Sequence, residues 1–172
     1  MTLQVTGGAS GSRDGRYRYS LTRRWSDGPR VAWVMLNPST AGARTDDPTL
    51  RRCLAISMRH GFGSLEVVNL FALRSTDPAG LRLAAYPAGP RAGVAVARAL
   101  RRADAVVAAW GVPPRGLEAR AAEVRSRLPD GVLALGLTRG GHPRHPLYVP
   151  RDTPLVRLDS LTVRSAQLTM AA

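Results

Sequence analysis

Two carboxamides and two imidazoles in this chain sit where side chains could do chemistry. Asn37 begins Asn37-Pro38-Ser39-Thr40, directly after the apolar run Val31 to Leu36. A carboxamide fixed there can orient a water or bind a base edge, although Asn-Pro and Ser-Thr are also ordinary turn residues. Asn69 interrupts the apolar run Leu65 to Phe71. A buried amide without partners costs about 1–3 kcal/mol. Asn69 therefore bonds either nearby backbone or a ligand with a paired donor and acceptor, such as a pyrimidine edge. His142 and His145 lie in His142-Pro143-Arg144-His145-Pro146-Leu147-Tyr148. The prolines stiffen that loop and fix where the imidazoles point, and an imidazole so held can stabilise a developing anion. The pair lacks a third ligand of clear spacing, so the reading includes no metal site and no cofactor.

Other residues flank these four. Trp110-Gly111 ends a further apolar run, where the indole either stacks on a ring or belongs to the core. Arg51, Arg52, Arg74, Arg139 and Arg144 fall near the same loops and are either phosphate contacts or solvated charges. Asp46 and Asp47 precede Pro48 and read as helix caps, with Asp46 free for other work if Asp47 caps. The chain has no Walker-type loop, no G-x-G-x-x-G after the first strand, no G-x-S-x-G elbow and no H-E-x-x-H. P-loop phosphoryl transfer, dinucleotide cofactors and serine-hydrolase chemistry are disfavoured accordingly.

Residues so far apart can share a site only if the fold collects them. Each motif follows an apolar run that reads as a strand: Val31–Leu36, Leu65–Phe71, Ala105–Trp110 and Val132–Leu137. Between them lie helical patterns: one capped by Asp47 with Leu50, Cys53, Leu54 and Met58 on a face, one from about Arg91 to Arg102, and one over Leu117–Leu128. Strand-helix alternation with right-handed crossovers gives a three-layer α/β/α sandwich on a four-stranded parallel sheet. The loops at the strands' carboxyl ends then converge on one rim, where ligands bind. Tyr17, Tyr19 and Leu21 alternate with polar residues, and this strand is expected to form a hairpin with Val31–Leu36. Residues 1–15 are Gly-, Ser- and Thr-rich and expected to be disordered, 16–158 form a single α/β domain, and 159–172 form a tail.

The 25 basic against 12 acidic residues give a net charge of +13, and every basic residue is arginine. Such a field attracts polyanions, and guanidinium forks grip phosphates and stack on bases. Nucleic acid or a nucleotide is the expected partner. Without lysine, no side-chain amine is available for Schiff-base catalysis. One cysteine, Cys53, excludes an intrachain disulfide and a thiolate cluster. No segment is long and apolar enough to span a bilayer, so no membrane partner is expected, and no signal pattern begins the sequence, which makes a cytoplasmic location the expectation.

The set M-L-N-P-S-T-A, D-D-P-T-L-R-R-C, V-V-N-L-F-A, A-A-W-G and G-H-P-R-H-P-L-Y resembles a bacterial family of unknown function, domain-of-unknown-function family 1643, over about residues 17–158. More remotely, the order of motifs is similar to the uracil-DNA glycosylase superfamily. Those enzymes share a four-stranded parallel α/β/α core. Their first motif, G-Q-D-P-Y or G-I-N-P-G, sets an Asp or Asn beside the attacking water, and Asn37-Pro38 resembles it without the glycines. Their strand ending L-N-A-V-L carries the Asn that reads the pyrimidine, and Val68-Asn69-Leu70-Phe71 is similar. Their H-P-S-P-L-S motif supports the departing base and wedges a leucine into the duplex. His142-Pro143 followed by Pro146-Leu147 resembles it with one extra residue, so either His142 or His145 could be the counterpart.

The resemblance implies a monofunctional glycosylase acting on a damaged or modified base in DNA rather than RNA. Asn where others have Asp, as in the mismatch-type branch, implies slow hydrolysis. The implied roles are catalysis for Asn37 and His142 or His145, and base binding for Asn69, Phe71, Trp110 and Tyr148. Leu147 is the implied duplex wedge, and Ser39, Thr40, Arg51, Arg74, Arg139 and Arg144 are the phosphate contacts. Two other classes fit the same residues: a non-catalytic nucleic-acid-binding module, and a hydrolase of free nucleosides or nucleotides.

Overall fold

The protein, described here by a computed structural model over residues 4–162, is a mixed α/β fold built on one seven-stranded sheet. The strands are β1 (Thr6–Gly11), β2 (Arg18–Arg24), β3 (Arg30–Met35), β4 (Ser64–Asn69), β5 (Ala105–Ala108), β6 (Leu133–Ala134) and β7 (Val156–Arg157). Their order across the sheet is β1-β2-β4-β3-β5-β6-β7. Neighbours among β4, β3, β5 and β6 pair in parallel, and the flanking strands pair antiparallel. The four apolar runs are thus the four parallel strands, as continuous hydrophobic stretches buried on both faces should be.

The helices follow the caps and breakers in the sequence. Helix α1 (Pro48–Arg59) starts where the Asp47 carboxylate accepts the Leu50 N–H at 2.7 Å, with Pro48 in the first turn. Asp77 caps the 3-10 turn Pro78–Leu83 in the same manner. Helices α2 (Ala92–Arg102) and α3 (Glu118–Arg125) follow. The buried side of α1 packs with Val31, Trp33, Met35, Leu65 and Val67 on one sheet face. Val96 and Ala99 of α2 and Ala121 and Val124 of α3 pack with Ala32, Val34, Val68 and Val106 on the other.

Two expectations are corrected. Residues 6–11, expected to lack structure with the rest of 1–15, form β1, whose ladder to β2 runs from Thr6↔Arg24 to Gly11↔Arg18. The hairpin partner of β2 is therefore β1. The expected hairpin between β2 and β3 does not form, because β4 inserts between them and satisfies both. Of the expected tail, residues 159–162 continue a helical turn that begins at Leu158, and 163–172 lie outside the described residues.

Candidate functional site

Connections from β3 and β5, adjacent strands, leave the sheet toward opposite faces: α1 covers one face and α3 the other. A crevice opens where such connections diverge, at the strands' carboxyl ends. A cleft of about 690 Å³ lies there. It is bordered by Asn37 after β3, Asn69 at the end of β4, Trp110-Gly111 after β5, Thr138 and Arg139 after β6, and Arg144, His145, Leu147 and Tyr148 of the His-Pro loop. Ser39 and Thr40 border it as well.

Asn37 is oriented by backbone. Its Nδ2 donates to the Ser75 carbonyl at 2.8 Å and to the Pro38 carbonyl at 3.0 Å. With the amino end so engaged, the oxygen is the end left to accept a proton from something in the cleft. Asn69 is the reverse case. It is 3% exposed, and neither Oδ1 nor Nδ2 meets a hydrogen-bond partner among the described residues. Its last ladder partner is Met35. The Trp110 indole N–H, also buried, has no partner among the described residues either. A natural core satisfies nearly all such groups, and those left over at a cleft wall call for a partner, whether ordered water or a ligand.

Of the two histidines, His145 borders the cleft and His142 does not. The His142 N–H donates to the Thr138 hydroxyl, and its ring packs over Gly140. The segment carrying His145 is fastened from three sides. The Arg144 N–H donates to the Gly136 carbonyl, the Gly111 N–H donates to the Pro143 carbonyl, and the Arg52 guanidinium donates to the carbonyls of Pro146 and Val149. His145 caps the 3-10 turn Pro146–Tyr148, its Nδ1 accepting the Leu147 N–H at 3.3 Å. That bond leaves the proton of the neutral ring on Nε2, as a donor. Burial pushes the imidazole down to about 4, against a weaker opposing pull from the Asp47 carboxylate, so the ring is neutral near pH 7. The Tyr148 ring lies 5.4 Å from it, centroid to centroid, and is 80% exposed.

Four of the expected contacts fall elsewhere. Phe71, expected to bind a base, is sealed among Leu36, Leu70 and Leu81 in the core on the α2–α3 face. His142, expected as one of two alternatives, is held in its own loop. Neither Arg51 nor Arg74, both expected on phosphate, borders the cleft. Arg51 donates to the Asp46 carbonyl, and Arg74 to the carbonyls of Ser39 and Ala41. Asp46 is not free for other work: its carboxylate accepts from Arg23 Nε at 2.9 Å and Nη2 at 2.6 Å.

Two charged residues of the cleft were missed. Asp47, read from the sequence only as a cap, borders it and is the one carboxylate that does so among the described residues. Arg18, read as the solvent side of an alternating strand, is buried and also borders it. Cys53 lies on the wall too, but burial pushes its thiol up, so it is no nucleophile at neutral pH. Among the described residues no group of three or more His, Cys, Asp or Glu gathers to hold a metal ion, and no helix is long and apolar enough to cross a membrane.

No curated protein and no solved structure matches this chain. Residues 18–147 match a family, and that stretch begins at Arg18 and ends at Leu147, both on the cleft. The chain belongs to this family, which is described as "Protein of unknown function (DUF1643)".

Proposed function

We propose that the protein is a monofunctional glycosylase of uracil-DNA glycosylase type, which accepts a base extruded from DNA and hydrolyses its N-glycosidic bond. One observation carries this reading: Asn37, Asn69 and His145, drawn from three loops and strands, border a single cleft, and neither polar atom of the Asn69 amide has a partner among the described residues. Four parallel strands with helices packed on both faces support the three-layer architecture such enzymes share. A volume of about 690 Å³ suits a nucleotide-sized ligand.

The chemistry follows from the placement. Asn69 reads the polar edge of the base with its donor and acceptor. Trp110 and Tyr148 supply aromatic surface. The C1′–N bond breaks and the base leaves with the electron pair, its charge stabilised by the His145 Nε2–H. A water held by the Asn37 oxygen adds to C1′ and gives its proton to the Asp47 carboxylate. Leu147, 44% exposed at the mouth, fills the space the base vacates, and Arg139 and Arg144 meet phosphates. With no lysine the product is an abasic site and not a broken strand.

Single-turnover reactions with excess protein on oligonucleotides carrying a panel of damaged and modified bases, followed by alkaline cleavage, test this. Base release that falls at least tenfold in Asn37→Ala and in His145→Ala is expected. No release from any oligonucleotide, with salt-steep binding that survives His145→Ala, would leave a binding module. Release from free nucleosides alone would leave a small-molecule hydrolase.

A further inference from the structure

Arg18 is a buried charge that the reaction above does not use. It is 5% exposed. One amino group donates to the Ala41 carbonyl at 2.7 Å, while the Nε–H finds no partner among the described residues. Burial pushes its guanidinium down to about 10, the charge of Arg74 adds to that, Asp47 opposes it, and Arg23 adds a little more. The group stays cationic at neutral pH. A desolvated cation normally takes a paired and fully bonded partner.

The chain goes out of its way to bring Arg18 to this wall. In a regular strand, residues two apart share a face. Yet Tyr19 packs with Ala72, Ala92 and Ala95 beside α2, whereas Leu21 packs in the α1-side core. The β1–β2 register shifts in between: Ser10 pairs with Ser20, but Gly11 pairs with Arg18. Such a bulge re-aims a side chain, and here it lets Arg18 and Leu21 border the same cleft. The neighbouring strand supplies Asn69. Leu21 of β2 faces Val67 of β4, and Asn69, two residues on, shares the Val67 face. The inner end of the cleft therefore joins an incompletely bonded guanidinium to an unpaired carboxamide. Pro48, Thr49 and Leu50 of the first turn of α1 line it too, adding the positive end of a helix dipole. The Asp47 carboxylate there is partly committed to the Leu50 N–H.

We propose that this inner end is an oxyanion subsite, in which the Arg18 Nε–H takes an anionic oxygen group, carboxylate or phosphate, borne by the ligand whose polar edge Asn69 reads. The inference rests on the cleft being a heterocycle site and not on base release. The anionic group has two possible sources: a carboxylate substituent on the base, or the phosphate of a nucleotide.

Calorimetric titration of the full chain at fixed ionic strength separates these. The probes are uracil, uracil-5-carboxylate, uracil-6-carboxylate, uridine and uridine 5′-monophosphate. An anionic probe is expected to bind at least tenfold tighter than its neutral parent, and Arg18→Met is expected to remove that advantage. Preference among the uracils assigns the carboxylate source, and preference for the monophosphate over uridine assigns the phosphate. Arg18→Lys, which keeps the charge but lacks the Nε–H, is expected to lose most of the advantage and serves if Arg18→Met does not fold. No anionic advantage in the wild type, or an advantage unchanged in the variants, overturns the subsite. Base release from DNA without anionic preference sinks this inference alone; anionic preference without base release sinks the glycosylase reading alone.

Discussion

Gly111 and His145 are packed against each other so closely that a β-carbon on Gly111 would stand 3.3 Å from the β-carbon of His145. Gly111 also has a φ of +72°, in the left-handed region. The loop after β5 and the His-Pro loop thus meet through a residue that only glycine suits. Gly111→Ala is expected to lower stability by about 1–2 kcal/mol from the backbone conformation alone. It should also shift the His145 ring resonances. Urea unfolding and NMR of the imidazole check both, and an unshifted ring would show that the two loops are independent.

His145 makes stability depend on pH in a definable window. Its folded-state value, about 4, lies below the ordinary 6.5, so between those values the unfolded chain binds more protons than the folded one. Its contribution is fully present above pH 6.5 and is lost as pH falls toward 4, with a slope of at most about 1.4 kcal/mol per pH unit. Unfolding free energies of the wild type and His145→Gln at pH 7, 5.5 and 4.5 should diverge at pH 7 and converge on acidification. Parallel curves would place the ring in water.

Asp47 caps α1 and, in the proposed reaction, takes the water's proton, and one substitution separates the two. Asparagine caps helices about as well as aspartate, so Asp47→Asn is expected to change stability by no more than about 0.5 kcal/mol. Base release should nevertheless fall at least tenfold if the carboxylate takes the water's proton. Removing that charge also removes the one pull that raises the His145 value, which should drop further in an NMR titration. Unchanged turnover would return Asp47 to capping alone.

Asn69 is expected to trade stability for binding. Both of its polar atoms are buried without partners among the described residues, and such groups cost about 1–3 kcal/mol. Asn69→Leu, similar in volume, should raise the melting temperature while abolishing affinity for uracil. A destabilised Asn69→Leu would mean that the amide is satisfied in the resting protein.

The parallel core was legible because strands buried on both faces read as unbroken apolar runs, and Asn69 was legible as the polar break in one of them. Asp47 and Pro48 announced α1 by local chemistry. The edge was not legible. Strand β1 reads Thr-Gly-Gly-Ala-Ser-Gly, with no apolar periodicity, since its residues are mostly exposed and it gains order from the ladder to β2. The β2–β3 hairpin failed because adjacency along the chain does not forbid a third strand between. Arg18 falls on the polar side of the alternation with Tyr17, Tyr19 and Leu21, yet it is buried. Only the bulge, which a period-two pattern does not show, brings it inside. The choice between His142 and His145 depended on the packing of Gly111 and Gly136, which spacing does not encode.

The loops around the cleft are tied down largely by guanidinium groups on neutral backbone oxygens: Arg18 and Arg74 on Ala41, Arg52 on Pro146 and Val149. An uncharged acceptor cannot be neutralised by acid, and a contact of this kind is little weakened by added electrolyte. The rim should therefore hold its shape in concentrated salt, and in acid down to the point at which His145 takes a proton and its Nδ1 no longer accepts the Leu147 N–H. Any fall in polyanion affinity with rising ionic strength then reports the solvent-facing Arg139 and Arg144, with the walls behind them undisturbed.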